Sequence, residues 1–232
     1  MKQISLFMTA LLIGFTALAG NTDKTETRNV SNFKGVDVSA GIYLYITMGE
    51  TESVKIVADD DIIEKIITEV KDGVLHIYVK QNGWFNWSGN ETRKAYVTIK
   101  ELNRIEASSG SDVNSENTLK GEELKINVSS GAEVEVDVYY KNLDVNTSSG
   151  SDAKLSGKVK NLRASASSGS DINAKELESV TCKASASSGS DVTVSVSEEL
   201  NASASSGSDV NYYGNPSVKE IDESSGGDVT HR

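Results

Sequence analysis

The sequence predicts an all-β fold, a parallel β-helix with coils of about 19–20 residues. Three observations predict this fold. The tripeptide Ser-Ser-Gly occurs seven times at intervals of 18 to 21 residues, and apolar positions between the copies alternate with polar ones. The chain also contains only 1 proline and 19 glycines, a composition that suits stacked strands and tight turns better than helices.

The repeat defines a common register for all its copies. Counted from each Ser-Ser-Gly glycine, residues at odd distances are mostly apolar or small, and residues at even distances are mostly polar. A period of two is typical of a strand with one buried face. Because the alternation has the same phase in every copy, we expect identical faces to stack about 4.8 Å apart. The seven glycines stand at positions 110, 131, 150, 169, 189, 207 and 226.

Two other solenoids fit the sequence less well. Leucine-rich repeats have a similar period, but they need a recurrent Leu-x-x-Leu-x-Leu frame and an asparagine ladder, and we see neither in the aligned repeats. Calcium-binding nonapeptide solenoids share the Gly-x-Asp character but repeat twice as often.

The Ser-Ser-Gly-Ser-Asp stretch can be explained by the structural requirements of a turn. Ser109 and Ser111 lie at odd distances from Gly110, so the alternation predicts that these serines and their equivalents point inward and form hydrogen bonds with neighbouring coils. Gly110 permits a bend, and Asp112 can cap a turn through backbone N–H groups. Cys182 occupies a position that is leucine in other coils, which predicts a buried and inert thiol.

Residues 1–19 resemble a secretory signal peptide, with Lys2 before an apolar run and Ala17-Leu18-Ala19 near the expected cleavage point. We therefore expect an exported protein in the periplasm, at the cell surface or secreted. The remainder is predicted to be one β-helix domain. The predicted segments are a flexible N-terminal segment, 20–29, and the domain, 30–232, with irregular first coils at 30–100, regular coils at 101–214 and a polar cap at 215–232.

Charge and cysteine content exclude several functional classes. Loss of Lys2 with the leader leaves 22 basic and 34 acidic residues, a net charge of −12. An acidic exported chain is a poor partner for nucleic acid or anionic lipid. No other apolar stretch is long enough for stable membrane insertion, and a single cysteine excludes an internal disulfide framework.

The N-terminal third keeps the strand pattern without the clean repeat. Segment 59–70 predicts a short helical turn before a strand, and the whole third forms either the first coils or a β-rich segment on the solenoid's end. Segment 82–90 predicts a loop that contains Trp84, Phe85 and Trp87. These rings either stack on a sugar or bind a partner from an exposed loop, or pack against the side of the solenoid.

The acid that follows each turn is the strongest chemical feature. Stacked coils would align these acids on one outer face, where hydration, hydrogen bonds, partners or weakly bound cations must offset their repulsion. The predicted binding surface combines this column with the aromatic residues of the loop. Its candidate residues are Asp112, Asp152, Asp171, Asp191, Asp209, Trp84, Phe85 and Trp87, and Glu133 and Asp228 continue the column.

No catalytic constellation, cofactor site or metal site is predicted from the sequence. His76 lies in a strand pattern and His231 adjoins the terminus, so neither suits a nucleophilic triad, and two histidines with one cysteine cannot form an ordinary zinc site. Polysaccharide lyases with a β-helix fold combine clustered acids with a basic residue, but they tend to have long loops, whereas these coils are short.

The chain resembles the putative auto-transporter adhesin, head GIN domain family. The resemblance rests on "NFKGVDVSAGIYLYI", "VKDGVLHIYV" and the repeated "SSGSD" coils over about residues 28–230, and Gly41-Ile42-Tyr43 partly meets the Gly-Ile-Asn signature. It implies a right-handed parallel β-helix and export, and it implies no activity.

Three functions remain open at this point. The preferred hypothesis is a non-enzymatic adhesin-like or scaffolding protein that presents a flat acidic Ser-Gly-Asp face, with a polysaccharide or an envelope protein as partner. The alternatives are a carbohydrate-active lyase or hydrolase, and a structural or sensor component of the cell envelope.

Overall fold

A computed structural model describes residues 23–80 and 91–232 of the chain. These residues form seventeen strands and one short 3-10 helix. The first strands are β1 (Asp23–Arg28), β2 (Gly35–Val38), β3 (Tyr43–Met48), β4 (Ser53–Asp59), β5 (Ile66–Lys71), β6 (Val74–Val79), β7 (Arg93–Ile99), β8 (Arg104–Ala107) and β9 (Asp112–Ser115), with the 3-10 helix at Ile63–Lys65. The others are β10 (Leu119–Ser129), β11 (Glu133–Ser148), β12 (Asp152–Ser167), β13 (Asp171–Ser187), β14 (Asp191–Ser205), β15 (Asp209–Tyr213), β16 (Val218–Ser224) and β17 (Asp228–His231).

From β8 onward, the strands of successive coils pair in parallel, with equivalent residues side by side. Asp152 pairs with Asp171, and Asp171 pairs with Asp191. Leu162 pairs with Cys182 in the same coils. The parallel β-helix predicted from the repeat is therefore confirmed, including its register.

The Ser-Gly turn has the same backbone conformation in every coil. Ser149 and Gly150 both have positive φ, 59° and 66°, as do their equivalents. From Gly110 to Gly207, the N–H of each turn glycine donates to the carbonyl of the turn serine in the next coil, at 3.1 to 3.3 Å; Gly150, for example, donates to Ser168. The turns thus form a continuous hydrogen-bonded column along the solenoid axis.

The inward prediction for the turn serines is half right. The Ser111 side chain is buried, and its hydroxyl donates to the Ser108 carbonyl at 2.9 Å. The prediction for Ser109 is wrong, because Ser109 is exposed. Two consecutive left-handed residues at Ser109 and Gly110 interrupt the alternation that was used to assign the inner face.

The core is a stack of buried aliphatic columns that narrows along the chain. In one column the side chains become smaller from coil to coil, from Ile126 and Val145 in β10 and β11 to Ala164 and Ala184 in β12 and β13. All four are fully buried. The buried position of Cys182 is confirmed, since it is 4% exposed and burial raises the pKa of its thiol to about 12.

The N-terminal coils do not stack in sequence order. Strand β2 pairs in parallel with both β6 and β8, so the coil of β2 and β3 lies between a later coil, β6 and β7, and the coil of β8 and β9. Antiparallel strands cover the outermost of these coils, with β5 on β6 and β4 on β7, and β1 on β4. The predicted helical turn is confirmed at Ile63–Lys65, immediately before β5.

The last coil continues the ladder with charged residues at inward positions. Lys219 pairs with Leu200 and Glu223 pairs with Ala204, and every residue of β16 is exposed. Charged side chains at an open sheet edge oppose pairing with another chain.

Candidate functional site

Seven acidic residues form a single column on the outer face, immediately after the Ser-Gly turns. We call this column the acidic stripe. Backbone pairing places its members next to one another on consecutive strands, because each begins the strand that follows its turn. The members are Asp112, Glu133, Asp152, Asp171, Asp191, Asp209 and Asp228. The register brings together all five aspartates that the sequence predicted for this surface.

The stripe carries unfavourable charge interactions in its centre. Burial raises the pKa of Asp191 above its ordinary value, and the neighbouring charges of Asp171 and Asp209 raise it further. A backbone N–H of Asp209 partly offsets this effect, and the N–H of Asp191 donates to Asp171 Oδ1 at 3.1 Å. At the other end, burial raises the pKa of Asp112. Partners that donate hydrogen bonds or carry positive charge would relieve this repulsion.

The stripe continues into tyrosines at its N-terminal end. Tyr43 pairs with Asp112 and is 45% exposed, a large fraction for an aromatic ring. Beside it, the rings of Tyr45 and Tyr96 stack with centroids 5.0 Å apart, and Lys55 Nζ lies 4.4 Å from the Tyr96 centroid. Sequence reasoning missed this patch, because the tyrosines belong to separate segments whose order in the stack is not the order in the chain.

The aromatic candidates Trp84, Phe85 and Trp87 lie outside the described residues. The structure therefore places the aspartates of the predicted surface and none of its tryptophan and phenylalanine side chains.

Both histidines are held by local contacts. His76 Nδ1 lies 2.9 Å from Asp37 Oδ2 on the neighbouring strand. His231 stacks on Tyr212 and contacts the Gly214 carbonyl. Within 23–80 and 91–232, no group of three or more histidine, cysteine or acidic side chains is arranged to hold a metal ion. Nor does any helix in that part of the chain have the length and apolar character needed to cross a membrane.

A second surface feature lies on the other side of the turns. Outward side chains flank the buried column of Leu143, Leu162 and Cys182 and enclose an open groove of about 720 Å³. We call it the axial groove, since it runs along the solenoid from β10 to β14. Its polar lining residues are Asn103, Glu123, Lys125, Asn142, Asp144, Asn161, Arg163, Thr181, Lys183, Glu199 and Asn201.

One wall of the axial groove contains a short amide ladder. Asn161 Nδ2 donates to Asn142 Oδ1 at 2.7 Å, and the Thr181 hydroxyl donates to Asn161 Oδ1 at 2.9 Å. Two asparagines and one threonine do not form the recurrent asparagine ladder of a leucine-rich repeat, so this ladder is a local feature of the β-helix. The ladder was missed because it occupies three coils only, at one position beside the buried leucine column.

A sequence model of the putative auto-transporter adhesin, head GIN domain family matches residues 32–216. The chain belongs to this family. No curated protein matches at a significant level. Among solved structures, a putative adhesin from Bacteroides fragilis has 22% identity and a TM-score of 0.86 over 92% of this chain and 98% of its own.

Two structures from Parabacteroides have the same fold. A putative adhesin from Parabacteroides merdae has 19% identity and a TM-score of 0.72, with 90% of this chain and 96% of its own covered. A protein from Parabacteroides distasonis that is named a putative lipid binding protein has 17% identity and a TM-score of 0.66, with 91% and 98% covered. These similarities show that the head GIN domain chain shares their β-helix fold.

The Gly41-Ile42-Tyr43 segment gives the head GIN domain signature a structural meaning in this chain. Gly41 has a φ of 64°, and its N–H donates to the Ser109 carbonyl at 3.0 Å, as in the regular turns. Ile42 is fully buried, whereas Tyr43 points outward at the end of the acidic stripe. The third position of the motif is therefore the outward-facing one in this chain.

Proposed function

We propose that this chain is an exported, non-enzymatic adhesin-like or scaffolding protein whose acidic stripe contacts a polysaccharide or an envelope protein. The family supports the adhesin-like character, and the sequence of residues 1–19 supports export. One observation carries the proposal for the surface: the acidic stripe is continuous over seven strands and ends at the exposed ring of Tyr43.

The chemistry of this surface suits a ligand rich in hydroxyl or amine groups. Carboxylates accept hydrogen bonds from such donors, and an exposed tyrosine ring offers a flat apolar face for a sugar ring or an apolar side chain. The regular spacing of about 4.8 Å between strands presents these acceptors at constant intervals. A repetitive partner would therefore meet the same contact several times, which raises its avidity without a deep pocket.

Binding of the purified protein to a glycan array and to solubilised envelope fractions tests the proposal. We expect the triple variant Asp152→Asn/Asp171→Asn/Asp191→Asn to lose at least tenfold in affinity for the ligand that the wild type captures. The matched control, Glu122→Gln/Glu178→Gln/Glu198→Gln, removes three exposed acids outside the stripe. Equal losses in both variants, or no captured ligand, would contradict the proposal.

The aromatic part of the surface has a separate test. Trp84→Ala/Trp87→Ala and Tyr43→Ala are compared on the same array. Unchanged binding by the tryptophan variant would remove these residues from the contact surface, and unchanged binding by Tyr43→Ala would do the same for the ring at the end of the stripe.

A further inference from the structure

The axial groove is neutral overall, with three cations and three carboxylates among its lining residues, but its cations are concentrated on one wall. One of its walls carries Lys125, Asp144, Arg163 and Lys183 on four successive strands, three cations and one carboxylate. This column has a net charge of +2, on a chain whose full sequence has a formal net charge of −11. The two adjacent cations, Arg163 and Lys183, lie at its centre.

These cations are only weakly engaged within the protein. Arg163 Nε lies 4.0 Å from Asp144 Oδ2, the outer limit of an ion pair, and the Arg163 side chain is 58% exposed. Asp144 is also held by Asn146, whose Nδ2 donates to Asp144 Oδ1 at 2.8 Å. Lys183 is exposed and makes no ion pair with another residue of the described ranges. Both cations are thus free to bind an external anion.

The opposite wall has the carboxylates of Glu123 and Glu199 at its two ends, whereas its centre is uncharged and already ordered. The hydrogen bonds between Asn142, Asn161 and Thr181 fix the orientation of all three side chains. An amide group has two donors and two acceptor lone pairs, so Asn161 keeps one N–H and one lone pair after these bonds. Polar groups that are held in place before binding lose less entropy when they contact a ligand.

We propose that the axial groove binds an extended polysaccharide that carries carboxylate or sulfate groups. Arg163 and Lys183 contact the anionic group, and the amide ladder contacts sugar hydroxyls on the other wall. The groove extends over five strands, about 19 Å at the usual strand spacing, which suits a linear chain laid along the solenoid axis. This site goes beyond the proposed function, since it lies on the other side of the turns from the acidic stripe and contacts its ligand through cations and amide groups instead of carboxylates.

Titration of the purified protein with polygalacturonate, chondroitin sulfate, dextran and polyglutamate tests the proposal. We expect binding of one or both acidic polysaccharides, weakening as salt rises, and none of dextran. Stronger binding of polygalacturonate indicates a carboxylate ligand, and stronger binding of chondroitin sulfate indicates a sulfate ligand. Equal binding of polyglutamate would overturn the role of the amide ladder, because that polymer has no sugar hydroxyls.

Three variants distinguish binding in the groove from attraction to the overall charge of the protein. Arg163→Ala/Lys183→Ala should bind at least tenfold more weakly, whereas the charge-matched control Lys154→Ala/Lys175→Ala should change affinity by less than twofold. The stripe variant Asp152→Asn/Asp171→Asn/Asp191→Asn should retain or strengthen polyanion binding. Equal losses in the groove variant and its control, or no binding of either acidic polysaccharide, would overturn the proposal. Since the stripe variant tests the proposed function on its own ligand, failure of one proposal is distinguishable from failure of the other.

Discussion

The buried hydroxyl of Ser151 lies 2.9 Å from the carbonyl oxygens of both Ser148, in its own turn, and Val128, in the preceding coil. It also accepts the N–H of Ser148 at 3.1 Å. One side chain therefore closes the turn and joins it to its neighbour. The equivalent hydroxyl of Ser190 accepts the N–H of Ser187 and donates to Ala166 in the same way.

We expect Ser151→Ala to lower the free energy of unfolding by about 1–3 kcal/mol, because it leaves buried polar backbone groups without a partner. Urea unfolding, followed by circular dichroism, measures the loss. Ser148→Ala removes an outward hydroxyl of the same turn and should cost less than about 0.5 kcal/mol. Similar losses in the two variants would show that the inward hydroxyl has no special role.

Two glycines of one coil should differ in their tolerance of a side chain. A Cβ at Gly157 would lie 2.2 Å from the Val138 carbonyl oxygen, whereas a Cβ at Gly150 would have no atom within 4 Å. Gly157→Ala should therefore cost about 3 kcal/mol or more, combining overpacking with an unfavourable φ of 105°. Gly150→Ala should cost about 1–2 kcal/mol, from its positive φ alone. Thermal and urea unfolding of the two variants give the comparison, and equal costs would contradict it.

The thiol of Cys182 should make the fold sensitive to alkali. Its pKa is about 12 in the folded protein and 9.0 in its ordinary state, so the unfolded chain loses this proton first. The stability that the neutral thiol contributes is complete below pH 9 and is lost as pH rises towards 12. We expect the stability difference between the wild type and Cys182→Ala to shrink over that range, as measured by urea unfolding at each pH. A constant difference would argue against a buried thiol.

Neutralising the centre of the acidic stripe should stabilise the fold. Because burial and the charges of Asp171 and Asp209 raise the pKa of Asp191, its ionised form is disfavoured in the folded protein. The contribution of Asp191 to stability is therefore greatest at pH values below the ordinary carboxyl range and declines as pH rises through its folded-state pKa. Asp191→Asn should raise the unfolding temperature at neutral pH, and added salt should reduce the gain. Glu122→Gln, which removes one exposed acid outside the stripe, should show no such gain; an equal gain would indicate net charge alone as the cause.

Much of the regular part of the fold follows from the repeat. A fixed phase of alternation at each glycine predicts both the buried column at Cys182 and the outward line of aspartates, since side-chain direction in a strand depends on parity. Parity fails at Ser109, where two left-handed residues reset the alternation. The Ser-Gly turn that defines the repeat is therefore also the place where alternation no longer predicts whether a side chain points inward or outward.

The stacking order of the N-terminal coils and the axial groove could not be predicted in this way. The pattern of β2 is compatible with either neighbour, and only long-range pairing with both β6 and β8 fixes its place in the stack. The groove depends on how the outward side chains on either side of the buried leucine column are arranged across five strands. A repeat alignment identifies these residues, such as Asn161 and Arg163, but not the space that they enclose.

Both proposed surfaces require that equivalent residues of successive coils stand in line. Dipolar spectroscopy of nitroxide pairs tests this requirement, with Asp112→Cys/Asp209→Cys and Asp152→Cys/Asp209→Cys in a Cys182→Ala background. The pairs are separated by five and three strand spacings, about 24 Å and 14 Å between backbones. The account predicts narrow distributions whose means differ by about 10 Å, and distances that do not increase with the number of coils between the labels would contradict it.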